Sequence, residues 1–192
     1  MTEQPLGPLQ SYCCKCGSDL ESRIPAGDNK LRYVCTACSF VHYDNPKIVT
    51  GAVVEHEGQI LLCKRAIEPR RGYWTVPAGF MELGETLAQG ASRETLEEAC
   101  ATVQLGSLLA IVDVPEAGQV HAFYRGTMTD GQYGAGEESL ETRLFAPGDI
   151  PWDEIAFRSG HIALTQYLAQ KASGIELVHM ETATRLRKDG VI

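Results

Sequence analysis

Apolar positions along the chain alternate in some stretches and recur with a helical period in others. From Ile48 to Val54 β-branched residues dominate, Glu57-Gly58 follows as a turn, and Gln59 to Cys63 has the same extended character. That pattern predicts a β-hairpin. Val76-Pro77-Ala78-Gly79 reads as a short extended piece ending in a bend. Thr86 to Cys100 has helical periodicity: at about 100° per residue, Ala88, Ala91, Thr95 and Ala99 share one face, and Glu94, Glu97 and Glu98 share another arc. Val103 to Val114, Val120 to Met128 and Leu140 to Phe145 read as further strands. Gly131 to Glu138, rich in glycine and poor in apolar groups, reads as a loop. Ser159 to Lys171 reads as a helix with Ile162, Leu164, Tyr167 and Leu168 available for packing. From Ala172 onward the pattern is weak and predicts no element.

Ahead of the hairpin, residues 11 to 45 contain few apolar groups, and Asp44-Asn45-Pro46 reads as a turn and boundary. The organisation expected is a small unit over 1–45, a main domain over 46–171 and a tail over 172–192. A unit as small as the first buries too little surface to hold itself together and needs a staple.

Composition narrows the function. Apolar residues make up 44% of the 192, which argues against disorder. The net charge of -8 argues against a general nucleic-acid binder, because affinity for a phosphate backbone comes mainly from Lys and Arg. It leaves a nucleotide enzyme open, since a carboxylate-held cation supplies the positive charge that substrate phosphates need. Met1 to Tyr12 has no basic start and no apolar run, and no segment approaches ~18 consecutive apolar residues, so neither a signal peptide nor a membrane span is expected. A reducing, cytoplasmic-type compartment is the expectation, with an organelle left open.

Seven cysteines are present, and four form two CxxC pairs, Cys13/Cys16 and Cys35/Cys38. Each CxxC sets two thiolates on one knuckle, and two knuckles complete a tetrahedral Zn²⁺ shell. Gly17, directly after Cys16, suits the left-handed turn such a knuckle needs. Cys14 and His42 are read as non-ligands, and Cys63 and Cys100 as small apolar groups. The ribbon carries balanced charge and is read as structural.

Three glutamates on one arc of the first helix form a hard-oxygen set suited to Mg²⁺ or Mn²⁺. An acidic helix face alone is usually just solvated. The spacing Gly79, Glu85, Arg93-Glu94, Glu97-Glu98 changes that, because a chance match of six positions is on the order of one in 10⁵. The segment resembles the box of the Nudix hydrolases. It departs from the family pattern at Thr95, where an aliphatic residue is usual, and at Cys100, where glycine eases the chain out of the helix. The resemblance extends to the CxxC unit, Leu61 to Pro69, Gly72 to Phe80 and Glu138 to Phe145. It points to a zinc-ribbon subgroup containing bacterial proteins and plant chloroplast FAD and ADP-ribose pyrophosphatases.

That resemblance implies an α/β fold, an α/β/α sandwich with a mixed sheet behind a zinc ribbon. It implies that Glu94, Glu97 and Glu98, with the carbonyl near Gly79, bind Mg²⁺ or Mn²⁺. Glu85 and Arg93 form a supporting pair, and Glu98, Glu138 or Glu141 serves as base. The reaction implied is attack of an activated water on a diphosphate, releasing a nucleoside monophosphate. Arg65, Arg70 and Arg71 are candidate phosphate contacts, and Tyr73, Trp74, Phe123, Tyr124 and Phe157 candidate stacking platforms. FAD or ADP-ribose is favoured over NADH, because Gly106 to Gly118 lacks the Ser-Gln-Pro-Trp-Pro-Phe-Pro signature of NADH pyrophosphatases. A nucleotide-sanitising triphosphatase and a non-catalytic sensor of nucleotides or nucleic acid are the rivals. The partner expected is a small nucleotide. Related enzymes often form homodimers, but no stripe in this sequence specifies an interface.

Overall fold

The computed structural model describes residues 7–184, and the chain divides into two units between Pro46 and Lys47. In the first unit, β1 (Leu20–Arg23), β2 (Arg32–Cys35) and β3 (Val41–His42) form an antiparallel sheet in the order β1-β2-β3. Two loops of the same construction bring the CxxC pairs together. In one, the Gly17 N–H donates to the Cys13 carbonyl at 2.8 Å. In the other, the Ser39 N–H donates to the Cys35 carbonyl at 3.1 Å. The residue after each second cysteine is left-handed, Gly17 with φ 75° and Ser39 with φ 57°. The expectation for Gly17 holds, and the second loop accepts a serine in the same role.

The second unit is built on one mixed sheet. Its strands are β4 (Lys47–His56), β5 (Gln59–Arg65), β6 (Trp74–Thr75), β7 (Ala78–Phe80), β8 (Val103–Val114), β9 (Gln119–Met128), β10 (Ser139–Phe145) and β11 (His179–Thr182). The order is β10-β5-β4-β9-β8-β11, with β6 on β5 and β7 on β4. The pairs β4/β9 and β8/β11 are parallel and the others antiparallel. The predicted hairpin turn is present. Glu57 (φ 48°) and Gly58 (φ 82°) are both left-handed, as a two-residue turn between twisted strands requires.

Alternation along the strands supplies two separate cores. Val53, Ile60 and Leu62 point to one face, where they cluster with Ile162, Ala163 and Leu164 of α2 (Arg158–Ser173). Ala52, Val54, Leu61 and Cys63 point to the other, where they cluster with Ala99 of α1 (Leu87–Ala99) and Ala101. One helix therefore covers each face, and the α/β/α sandwich is borne out. No helix among the described residues is long and apolar enough to cross a membrane.

Helix α1 starts at a capping box. The Gln89 N–H donates to the Thr86 hydroxyl at 3.2 Å, and the Thr86 N–H donates to the Gln89 side chain at 2.8 Å. The face predicted to meet the sheet does so: Ala91, Thr95 and Ala99 are fully buried. Thr95 tolerates its apolar site by donating its hydroxyl to the Ala91 carbonyl at 2.7 Å. The helix ends at Cys100 in the left-handed conformation, with φ 49° and ψ 29°. A side chain is strained there, so Cys100→Gly is expected to stabilise the protein by ~1 kcal/mol. Urea unfolding with an unchanged m-value checks this.

The tail holds an element that the sequence pattern did not predict. The tail contributes β11, which pairs in parallel with β8 from His179↔Ala110 to Thr182↔Asp113, and Ala183 joins the core over α2. Four residues that pair with a strand far away in sequence carry no local signature. Residues 185–192 of the expected tail, and residues 1–6, lie outside the described residues.

Candidate active site

The site grows from the first turns of α1 and the strand beside it. Gly79 in β7 pairs with Thr50 in β4, and the Thr50 hydroxyl holds the start of α1 by donating to the Leu87 carbonyl at 2.8 Å. A Cβ on Gly90 would stand 2.6 Å from Thr50 Cγ2 and 2.7 Å from Glu85 Oε1, so the helix approaches the sheet as closely as a glycine allows. A Cβ on Gly79 would overlap the Glu94 carboxylate. Gly79→Ala is therefore expected to push Glu94 off its position. The expected loss of kcat/KM is about 100-fold, with a smaller effect on melting temperature. Steady-state kinetics beside a thermal melt separate the two.

Arg93 organises the acidic residues. Its Nε and Nη2 donate to Glu85 at 3.1 and 2.8 Å, Nη2 also reaches the Phe80 carbonyl at 3.0 Å, and Nη1 donates to Glu94 at 2.8 Å and to Glu97 at 2.9 Å. Glu85 receives a further hydrogen bond from the Glu82 N–H at 2.7 Å. The hydrogen bonds from Arg93, with that from Glu82, hold the Glu85 carboxyl at about 2, well below the usual carboxylate range. Glu85 and Arg93 thus form a fork–fork pair where the resemblance implied a supporting one, and this pair ties the loop before α1 to the middle of the helix.

The three box glutamates differ in environment. Glu97 is exposed, while Glu94 and Glu98 are buried at 9% and 6% exposure. Burial, partly offset by Arg93, raises the Glu94 carboxyl. Burial pushes Glu98 up to about 8, against a single hydrogen bond from the Ala78 N–H at 3.2 Å. A buried carboxylate with one donor is an unbalanced charge, and a divalent cation would balance it. That donor chemistry and the close approach of Gly79 fit a hard metal ion.

These residues form one wall of a cleft of about 1030 Å³. Arg65 and Glu138 also line it. The loop before β10 reaches the end of α1, where the Gly136 N–H donates to the Glu98 carbonyl at 3.1 Å and the Gly134 N–H to that of Ala99 at 2.8 Å. Glu138 thereby comes near enough to raise the pKa of both Glu94 and Glu98. Glu141 instead pairs with Arg143 on β10 and does not line the cleft.

The other predicted substrate contacts are placed differently. Trp74 is 4% exposed and packs edge-on against Phe145 at 4.9 Å, with Lys64 and Arg143 over its face. It is a core residue, and the stacking role expected for it is corrected, because β6 pairs with β5 and turns that side chain into the core. Arg70 stands over the Tyr73 ring at 5.3 Å, and neither lines the cleft. Arg65 does line it, donating from Nε to the Pro69 carbonyl at 2.9 Å with its guanidinium 5.0 Å from the Phe157 ring. Phe123 and Phe157 line it as well. The sequence reading missed Gln119, His121 and Ser159. The period-2 alternation of β9 is the signal that would have grouped Gln119 and His121 with Phe123. His121 Nε2 is 2.8 Å from Gln119 Oε1, and burial lowers its pKa to about 4.

In the first unit, the four CxxC sulfurs all lie within 4.8 Å of one another. Cys13 and Cys38 are 3.7 Å apart, Cys16 and Cys35 3.4 Å, and Cys16 and Cys38 3.5 Å. The edge of a sulfur tetrahedron around zinc is ~3.8 Å, so the cluster has the size of that shell. Hydrogen bonds from Ser18 hold the Cys16 thiol down, while the neighbouring cysteines and burial push that of Cys38 up. Cys14 is exposed and stands apart, and His42 sits edge-on to Phe40 at 4.9 Å, outside the cluster. Cys63 is buried, and burial pushes its thiol up.

Comparison with known proteins agrees with this construction. Residues 11–44 match the family model of the Nudix N-terminal zinc ribbon, and residues 45–166 match that of the NUDIX domain. The crystal structure of a NUDIX hydrolase from Nitrosomonas europaea is 45% identical and covers 92% of this chain and 100% of its own, with a TM-score of 0.88. An ADP-ribose pyrophosphatase of Methanocaldococcus jannaschii is 27% identical over 113 residues, 57% of this chain and 67% of its own. The NAD-capped RNA hydrolase NudC of Photobacterium profundum is 37% identical over 89 residues, 46% of this chain. The match spans only 32% of that relative. The chain belongs to the Nudix hydrolase family, with a Nudix zinc ribbon ahead of the hydrolase domain.

Proposed function

We propose that this protein hydrolyses the diphosphate of ADP-ribose or FAD, releasing a nucleoside monophosphate. The observation that carries the reading is the cleft of about 1030 Å³, with Glu94, Glu97, Glu98 and Glu138 on one side and apolar groups such as Val49, Val114 and Phe123 on another. It is large enough for a dinucleotide-sized ligand. Glu94, Glu97 and Glu98, with the Gly79 carbonyl, would hold Mg²⁺ or Mn²⁺, which when bound neutralises phosphate charge and acidifies water. Arg93 and Glu85 orient the glutamates. Glu138 takes the proton of the attacking water as a phosphoanhydride P–O bond breaks, and two phosphate monoesters leave. The four cysteines of the ribbon would hold a structural Zn²⁺.

The NudC relatives favour a second reading, in which the substrate is an NAD-type dinucleotide, free or at the 5′ end of an RNA. The two readings separate in one assay, monophosphate release with Mg²⁺ from FAD, ADP-ribose, NADH, NAD-capped RNA and nucleoside triphosphates. AMP from ADP-ribose or FAD at the highest kcat/KM supports the first reading. Preference for NADH or capped RNA replaces it with the second, and no turnover of any compound counts against both.

A further inference from the structure

Part of the cleft is lined by the first turn of α2. The N-cap of this 16-residue helix is Phe157, which makes no side-chain capping hydrogen bond. The His161 N–H donates to the Phe157 carbonyl at 3.1 Å, which leaves the N–H groups of Arg158, Ser159 and Gly160 without partners in the helix. Ser159 and Gly160 both line the cleft.

A second observation concerns Ser159 itself. It is 3% exposed, and its hydroxyl has no hydrogen-bond partner among the described residues. The fully buried unpaired side-chain atoms among the described residues are those of His42 and Thr142, so the Ser159 hydroxyl is not sealed off and opens to the cleft that it lines. Ser159 also sits two positions after the N-cap, too late to cap the helix, so local helix chemistry does not explain it. Nor does packing require a glycine at 160. A Cβ there would meet Val76 and Thr75 only at 3.9 and 4.0 Å, ordinary contact distances. Without a side chain, the Gly160 N–H stays open to the cleft.

Charge completes the picture. Arg65 and Arg93 are the Lys or Arg side chains lining the cleft, and Arg93 is taken up by Glu85, Glu94 and Glu97. Arg65 remains, 5.0 Å from the ring of the N-cap Phe157. The first turn of α2 also lies against Thr75 and Val76, two residues before Ala78, whose N–H holds Glu98. Besides the glutamates, the same cleft therefore holds the Arg65 guanidinium, N–H groups without helix partners and a positive helix end, all suited to a phosphoryl group.

We infer that the Ser159 and Gly160 N–H groups, the Ser159 hydroxyl and the Arg65 guanidinium form an oxyanion subsite for the phosphoryl group remote from the box glutamates. This deepens the proposed function and rests on it for the identity of the ligand.

The test uses metal-free ¹⁵N-labelled full-length protein and inorganic phosphate as probe. Saturable shifts of the Ser159 and Gly160 amides are expected, with the apparent Kd for phosphate raised by α,β-methylene-ADP as competitor. A thermal melt and dispersed amides outside the cleft establish that each of two variants is folded, Ser159→Ala, which removes only the hydroxyl, and Ser159→Asp, which puts a carboxylate into the subsite. Phosphate binding is expected to weaken in both, at least about tenfold in Ser159→Asp. Amides that do not move, shifts unaffected by either variant, or phosphate that α,β-methylene-ADP fails to displace would each overturn the subsite. The titration needs neither metal nor turnover. Absence of hydrolysis therefore counts against the proposed function, and an unmoved Ser159 amide against the subsite.

Discussion

Replacing Glu98 with glutamine is expected to abolish hydrolysis and to make the metal-free protein more stable at pH 8. Both effects come from one side chain, 6% exposed and held by one N–H donor. The amide keeps the shape and loses the charge, so kcat/KM should fall by about 10³ or more. The stability effect follows from the raised pKa. The native protein binds the Glu98 proton up to about pH 8, whereas the unfolded chain releases it near the ordinary carboxyl value of 4.5. Between these values the native state holds more protons, so its stability falls as pH rises and is lowest above pH 8. The penalty is on the order of 4 kcal/mol, and Glu98→Gln removes it. The difference in melting temperature between variant and wild type, both metal-free, should widen from pH 5 to pH 8. A constant difference across that range, or near-full turnover by the variant, would refute the assignment of Glu98.

The second large effect concerns the ribbon. Its sheet has three strands of four, four and two residues, and its buried apolar groups include little beyond Tyr33 and Val34. Such a unit depends on its metal, and structural Zn²⁺ in comparable peptides contributes about 10–16 kcal/mol. A strong chelator is expected to release one Zn²⁺ per chain and to collapse the amide dispersion of residues 11–44. Cys16→Ser is expected to do the same without a chelator. Both tryptophans, Trp74 and Trp152, belong to the second unit, so their emission should stay unchanged while the ribbon unfolds. Retention of ordered ribbon amides after full zinc removal would show that the cluster is not the staple.

Features encoded within one helix or one hairpin were legible in the sequence. The periodicity of α1 and the Glu57-Gly58 turn rest on residues within a few turns of each other, while the Glu85–Arg93 pair was implied by the family resemblance. The missing glycine at Cys100 gave no sign that the helix exit would still be left-handed, as it is. What could not be read depends on which distant strands become neighbours. Trp74 looked available beside Arg70 and Tyr73, but pairing of β6 with β5 turns it inward. Glu138 and Glu141 look equivalent in sequence. The docking of Gly134 and Gly136 on the end of α1 brings Glu138 to the cleft and leaves Glu141 to Arg143. Ser159 became visible only when the first turn of α2 met the cleft.

The parallel strand β11 has a consequence for synthesis on the ribosome. Strand β8 ends at Val114, and β11 begins at His179, 65 positions later. At about 5–20 residues per second, β8 waits roughly 3–13 s for its neighbour. During that interval a twelve-residue strand carrying Leu109, Ala110 and Val112 presents an open edge to whatever else is nascent. The protein's vulnerability to aggregation is then greatest before its last described strand is made, and slowed elongation after Val114 would lengthen it.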